Sequence, residues 1–203
     1  MSGSPLRPAP RGVWAVASGL AGAADARAWA EGAAAAAAWS FRLPSGDERA
    51  ALAALRELRP ASPWLAVHAR SDWAALARAD AVIGGARSLP LDALAGEARR
   101  HRLVLGRSTH RPAEVAEAAA AGAAFVLYGP VWDTPAKRGI LAPRGLDGLR
   151  AACALGLPVV AIGGIERAEQ VAACHAAGAH GAAVLRAARD PVLLAELAAA
   201  WPG

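Results

Sequence analysis

Short apolar runs alternate with alanine-rich stretches of helical spacing along almost the whole chain. Eight of these runs read as strands: residues 13–18, 39–43, 64–68, 81–84, 103–108, 125–129, 158–163 and 182–185. They are brief and rich in β-branched, aromatic and aliphatic residues, as strands buried inside a sheet should be. Between them the apolar positions recur at helical intervals, for example over 47–58, 71–78, 113–121, 146–155 and 166–177. Two junctions share one local form. Val115 to Ala123 and Val171 to Ala179 both read Val-Ala-x-x-x-Ala-Ala-Gly-Ala. In each, the glycine is expected to end a helix in a left-handed cap and the alanine to lead into the next strand.

Strands separated by helices require right-handed crossovers and a parallel sheet. Eight such units in 203 residues favour a closed (β/α)8 TIM barrel over an open doubly wound sheet. The expected organisation is therefore one barrel domain spanning residues 1–203, with residues 1–11 as a flexible lead-in. A barrel gathers the C-terminal ends of its strands at one mouth, where catalytic groups collect. In this chain those ends supply Ser18, Ser40, Arg42, His68, Arg70, Ser88, the segment 108–110, the segment 129–137, Gly163, Gly164 and Arg186.

Composition narrows the partners. The net charge of +5 comes from arginines scattered singly or in pairs, without a basic run or interleaved aromatics. A nucleic-acid partner is not expected, and the basic surface suits anionic small molecules. No apolar stretch reaches membrane-spanning length, and glycines break the one run resembling a secretion signal, so a cytoplasmic protein is expected. Cys153 and Cys174 form no CxxC pair and read as free thiols in helices.

Three constellations carry candidate chemistry. The only lysine, Lys137, follows Thr134 in a loop after the apolar run 125–128, a placement suited to a phosphate; an ordinary surface turn is the alternative. Gly163 and Gly164 end a buried strand ahead of a helix. Glycines there let backbone N–H groups approach an anion, although they would also serve a tight turn. Ser108, Thr109 and His110 end the fifth strand with two hydroxyls and an imidazole, either to orient and protonate a ligand or to cap the next helix. No zinc motif or nucleophile elbow is present.

In order and spacing, Gly106-Arg-Ser-Thr-His110, Gly129-Pro-Val-Trp-Asp-Thr-Pro-Ala-Lys137 and Val160-Ala-Ile-Gly-Gly-Ile165 resemble the thiamine phosphate synthase/TenI superfamily. The resemblance is specific from about residue 103 to 186 and weaker from 13 to 90. It implies a (β/α)8 barrel of thiamine biosynthesis, a thiazole phosphate ligand and a homo-oligomer. Within the family, synthases join a pyrimidine diphosphate to a thiazole phosphate with Mg²⁺. TenI-type members are thiazole tautomerases that need no metal.

The departures point both ways. The family's diphosphate-binding lysine after the second strand falls on Pro44, although Arg42 remains. The metal-binding aspartates after the third and fourth strands are missing, with His68-Ala-Arg70 and Ser88 in their places. Mg²⁺ normally takes one or two carboxylates, so ordinary synthase activity is disfavoured. Ser88 and Arg144-Gly145 fit the tautomerase pattern, yet the tautomerase histidine is replaced by Pro130, which has no proton to transfer. The expectation is a TenI-like binder of thiazole phosphate acting as an atypical, cofactor-free tautomerase, with His110 first and His68 second as base. Arg42, Ser108, Thr109, Thr134, Lys137, Gly163, Gly164 and Arg186 are its expected substrate- and phosphate-binding residues, with no metal ligand. The alternatives are a divergent synthase, to which Mg²⁺ would belong and Asp133 would contribute, and a non-catalytic phosphate-binding regulator.

Overall fold

Parity along each strand decides which residues fill the barrel and which meet the helices. In the computed structural model, which describes residues 5–43 and 46–202, the chain runs β1 (Gly12–Ser18), α1 (Ala23–Gly32), β2 (Ala38–Arg42), α2 (Glu48–Ala61) and β3 (Leu65–His68). It continues α3 (Ser71–Leu76), β4 (Ala81–Gly84), α4 (Leu91–Arg100), β5 (Val104–Thr109), α5 (Pro112–Ala120) and β6 (Phe125–Tyr128). The last units are α6 (Gly145–Cys153), β7 (Val159–Ile162), α7 (Ala168–Ala176), β8 (Gly181–Val184) and α8 (Pro191–Ala199). All neighbouring strands are parallel, and β8 pairs with β1 to close the barrel in sequence order. Pro44, the position of the missing family lysine, lies outside the described residues.

One set of alternate residues, including Trp14, Val16, Ala66, Ile83, Val104, Leu127 and Val160, packs inside the barrel. The other set, including Trp39, Phe41, Val67, Val82 and Val126, packs outward with Leu55, Leu58, Leu94 and Leu194 of the helices. Both layers are almost free of water, which explains the near-continuous apolar reading of every strand. The floor of the interior is aromatic. Trp14 lies 5.1 Å from Trp64 and 5.3 Å from Phe125, ring centroid to centroid. Gly106 is glycine because the Phe125 ring covers it; a Cβ there would lie 2.3 Å from the ring.

The lead-in to β1 closes that floor. The Trp14 Nε1 donates to the Pro10 carbonyl, the Trp64 Nε1 donates to that of Arg7, and His180 Nε2 meets the carbonyl of Ala9. Arg7 also donates to the Pro63 carbonyl. The flexible lead-in expected through residue 11 therefore meets a set of specific contacts over residues 7–10.

Other boundaries move little. α2 runs past the expected end at residue 58 to Ala61, carrying Pro60 in its last turn, and α7 begins at Ala168 rather than at residue 166. The repeated junctions take the expected left-handed caps, with φ of 83° at Gly122 and 91° at Gly178. Cys153 and Cys174 are free thiols. Among the described residues, no helix is long and apolar enough to cross a membrane.

Candidate functional site

A cavity of about 650 Å³ opens at the C-terminal ends of the strands. This is the size class of small-molecule sites and their usual place in a barrel. The interior parity that puts Val104 and Gly106 inside carries Ser108 and His110 to its wall. The same rule brings Arg42 from β2, His68 from β3, Leu127 from β6 and Ile162 from β7. Ser108, Thr134, Lys137, Gly163, Gly164 and Arg186 also line it. Thr109 does not. It has the outward parity of β5, is fully buried, and its Oγ1 lies 3.4 Å from the carbonyl of Leu127, so the expected ligand contact is corrected to a packing role. Nor does a hydroxyl cap α5: the Glu114 carboxylate accepts from the His110 N–H instead.

One end of the cavity is built to take an anion on backbone groups. Gly163 and Gly164 both have positive φ, 104° and 70°. Among the described residues, the N–H groups of Gly163, Gly164 and Ile165 meet no acceptor, and all three residues line the cavity. Successive unpaired N–H groups of this kind form an anion-binding concavity. Packing demands the same glycines. A Cβ on Gly163 would lie 2.6 Å from Pro130, and one on Gly164 would lie 2.6 Å from the Asp133 carbonyl. The loop after β6 is stitched to this turn by Val131 N–H to the Ile162 carbonyl and Trp132 N–H to that of Gly163. The start of α7 is not a free anion site, because the Gln170 side chain accepts from the N–H groups of Glu166 and Arg167.

The charged residues around the mouth divide into paired and unpaired groups. Arg186 pairs with Glu166, so the fork expected to hold phosphate already faces a carboxylate. Arg70 is held by Asp72 at 2.7 Å and Glu48 at 3.2 Å and lies over the Trp73 ring. Asp133 pairs with Arg138. Lys137, Arg42 and Arg87 line the cavity with no ion-pair partner among the described residues.

No motif singles out Arg87. A tight turn presents it, closed by the Ser88 N–H to the Gly85 carbonyl and by the Ser88 Oγ on the Gly85 backbone. Ser88 thus shapes the turn without facing the cavity. Burial, and then the nearby Arg87, push Arg42 down from the ordinary guanidinium range. Burial and both arginines also push His68 down to about 3, so its imidazole is neutral at physiological pH, with Nε2 enclosed and unpartnered.

His110 is placed differently. Its Nδ1 meets the carbonyl of Gly129, which can only accept, so Nδ1 carries a proton and Nε2 is the nitrogen that accepts in the neutral ring. Gly129 precedes Pro130, itself a cavity residue. Among the described residues, no cluster of three or more acidic, histidine or cysteine side chains could hold a metal. The two carboxylates on the wall, Glu48 and Glu166, are both paired to arginines. This donor set does not fit Mg²⁺, which seeks carboxylate oxygens clear of competing cations.

Comparison with known proteins decides the family. The sequence model of the family described as thiamine monophosphate synthase matches residues 17–188. The chain belongs to this family. It is 44% identical over 137 residues to a thiamine-phosphate synthase of Mycolicibacterium smegmatis, covering 65% of this chain and 59% of that protein. It is 40% identical over 151 residues to a thiamine-phosphate synthase of Methanoculleus marisnigri, covering 72% and 69%. The match therefore spans about three fifths of the first of these relatives. The fold agrees with a thiamine phosphate pyrophosphorylase from Pyrococcus furiosus at a TM-score of 0.79, with 24% identity over 93% of this chain and 94% of that one. Membership of the thiamine monophosphate synthase family supports the expected superfamily, and the relatives' names favour the synthase alternative over the tautomerase reading.

Proposed function

We propose that the mouth couples two anionic substrates, a thiazole phosphate and a pyrimidinylmethyl diphosphate, to give thiamine phosphate and diphosphate. The observation that carries this reading is a cavity with two cationic or anion-seeking ends. Gly163, Gly164 and Ile165 offer N–H groups at one end, with Lys137 and Thr134 on the adjoining loop, and Arg42 and Arg87 stand free at the other. A tautomerase substrate brings a single carboxylate besides its phosphate, whereas a diphosphate engages both guanidiniums of the second end. In the coupling, the thiazole nitrogen donates its electron pair to the methylene carbon while the carbon–oxygen bond to diphosphate breaks. Diphosphate leaves with that bonding pair, so the process is redox-neutral, and positive groups at the leaving end stabilise the departing charge. The relatives' names support the same chemistry. Mixing both substrates with the protein, with and without Mg²⁺, and measuring thiamine phosphate by mass spectrometry tests it. Absence of product under both conditions sinks the reading.

A second reading, metal-independent thiazole tautomerisation, is favoured by His110, whose accepting Nε2 belongs to an imidazole held beside Pro130. His68 is the poorer base, because a histidine with a pKa of about 3 has little proton affinity. An absorbance change of the thiazole carboxylate that vanishes in His110→Asn and survives in His68→Asn would establish it. Ligand-induced thermal stabilisation without either turnover would instead support a non-catalytic binder.

A further inference from the structure

The family's metal and this chain's mouth disagree, and the arginines stand where the disagreement is sharpest. We propose that Arg42 and Arg87 replace the divalent cation and hold the diphosphate of the second substrate directly, so that its binding needs no metal. The inference rests on the coupling reading above. Both guanidiniums line one cavity, Arg42 from the end of β2 and Arg87 from the turn after β4, on either side of β3. Every other arginine lining that cavity, Arg70 and Arg186, has a carboxylate partner; these two have none among the described residues. Two uncompensated positive groups sharing a partly enclosed space repel each other until an anion joins them. Planar guanidinium forks match phosphate oxygens, and two forks match two phosphoryl groups.

The ground beneath the pair is also unfinished. His68 Nε2 and Ser40 Oγ are buried without a hydrogen-bond partner, and both side chains have the interior parity of β3 and β2. Buried polar atoms normally have partners, and of these two His68 belongs to the cavity wall, where a ligand or its water completes the set. A bare Mg²⁺ placed here would face two guanidiniums and no free carboxylate.

Isothermal titration of the full chain with inorganic pyrophosphate, in EDTA and then in Mg²⁺, tests the assignment. Binding is expected in EDTA and should weaken when Mg²⁺ neutralises the ligand. Arg87→Gln, at an exposed position, should weaken it at least tenfold while leaving stabilisation by thiazole phosphate intact; Arg42→Gln should do the same. Binding that requires Mg²⁺, no binding in either buffer, or an Arg87→Gln variant as tight as the parent would overturn the inference. Coupling and pyrophosphate binding that both proceed only with Mg²⁺ would keep the function and remove the arginine role. Metal-free, arginine-dependent pyrophosphate binding without any coupling would keep the arginine site and remove the function.

Discussion

His68 should make this protein acid-sensitive in a way that one substitution removes. Its folded pKa is lowered to about 3 by burial and by Arg42 and Arg87, whereas an unfolded histidine titrates near 6.5. Between these values the unfolded chain binds a proton that the folded chain refuses. The resulting stability is therefore fully present above about pH 6.5 and is lost progressively as the pH falls toward 3. At pH 4.5 the folded imidazole is still neutral, so the loss is set by the two pH units below the unfolded value, about 2.7 kcal/mol at ~1.36 kcal/mol per unit. For a domain of this size that corresponds to roughly 5–10 °C in Tm. The assay is urea unfolding of the parent and of His68→Asn at pH 7.5 and pH 4.5. Subtracting the variant's pH dependence removes the other carboxylates and histidines. A difference near zero would refute the placement of a neutral imidazole between two arginines.

Gly106→Ala should destabilise by about 1–3 kcal/mol through overpacking against the Phe125 ring, and combination with Phe125→Leu should recover most of the loss in the same urea assay. Asp80 accepts from Arg59 at 2.8 Å and from the Leu65 N–H at 2.9 Å; Asp80→Asn should cost about 2 kcal/mol, read by thermal unfolding. Lys137→Gln should weaken thiazole phosphate binding about tenfold by calorimetry, the effect of losing one charged hydrogen bond, with Tm unchanged. An unchanged affinity would remove Lys137 from the phosphate end.

The barrel was legible because burial on both faces writes itself as uninterrupted apolar runs, and β4 falls on residues 81–84 as expected. The helix caps at Gly122 and Gly178 were legible because a left-handed φ selects glycine. The loop residues Thr134, Lys137, Gly163 and Gly164 line the cavity as their motifs suggested, whereas on the strands the site was readable only where parity could be counted. Ser108 and His110 face the cavity, while Thr109, between them in sequence, is turned away by the pleat. Arg87 escaped notice because its importance lies in the turn that Ser88 closes and in the absence of a carboxylate opposite it, neither of which is a local pattern. The ion pair of Arg186, which lines the cavity as expected, was hidden for the complementary reason: its partner Glu166 is 20 residues away in the chain.

The stitched contact between the loop after β6 and the turn after β7 has a consequence for anyone who would retune this pocket. Because the Gly163–Gly164 turn seats itself on Pro130, Trp132 and Asp133, the backbone cradle and the loop bearing Thr134 and Lys137 behave as a single cassette. Exchanging either piece alone for that of a relative should leave a collision or a gap, and exchanging both together should transplant ligand preference intact.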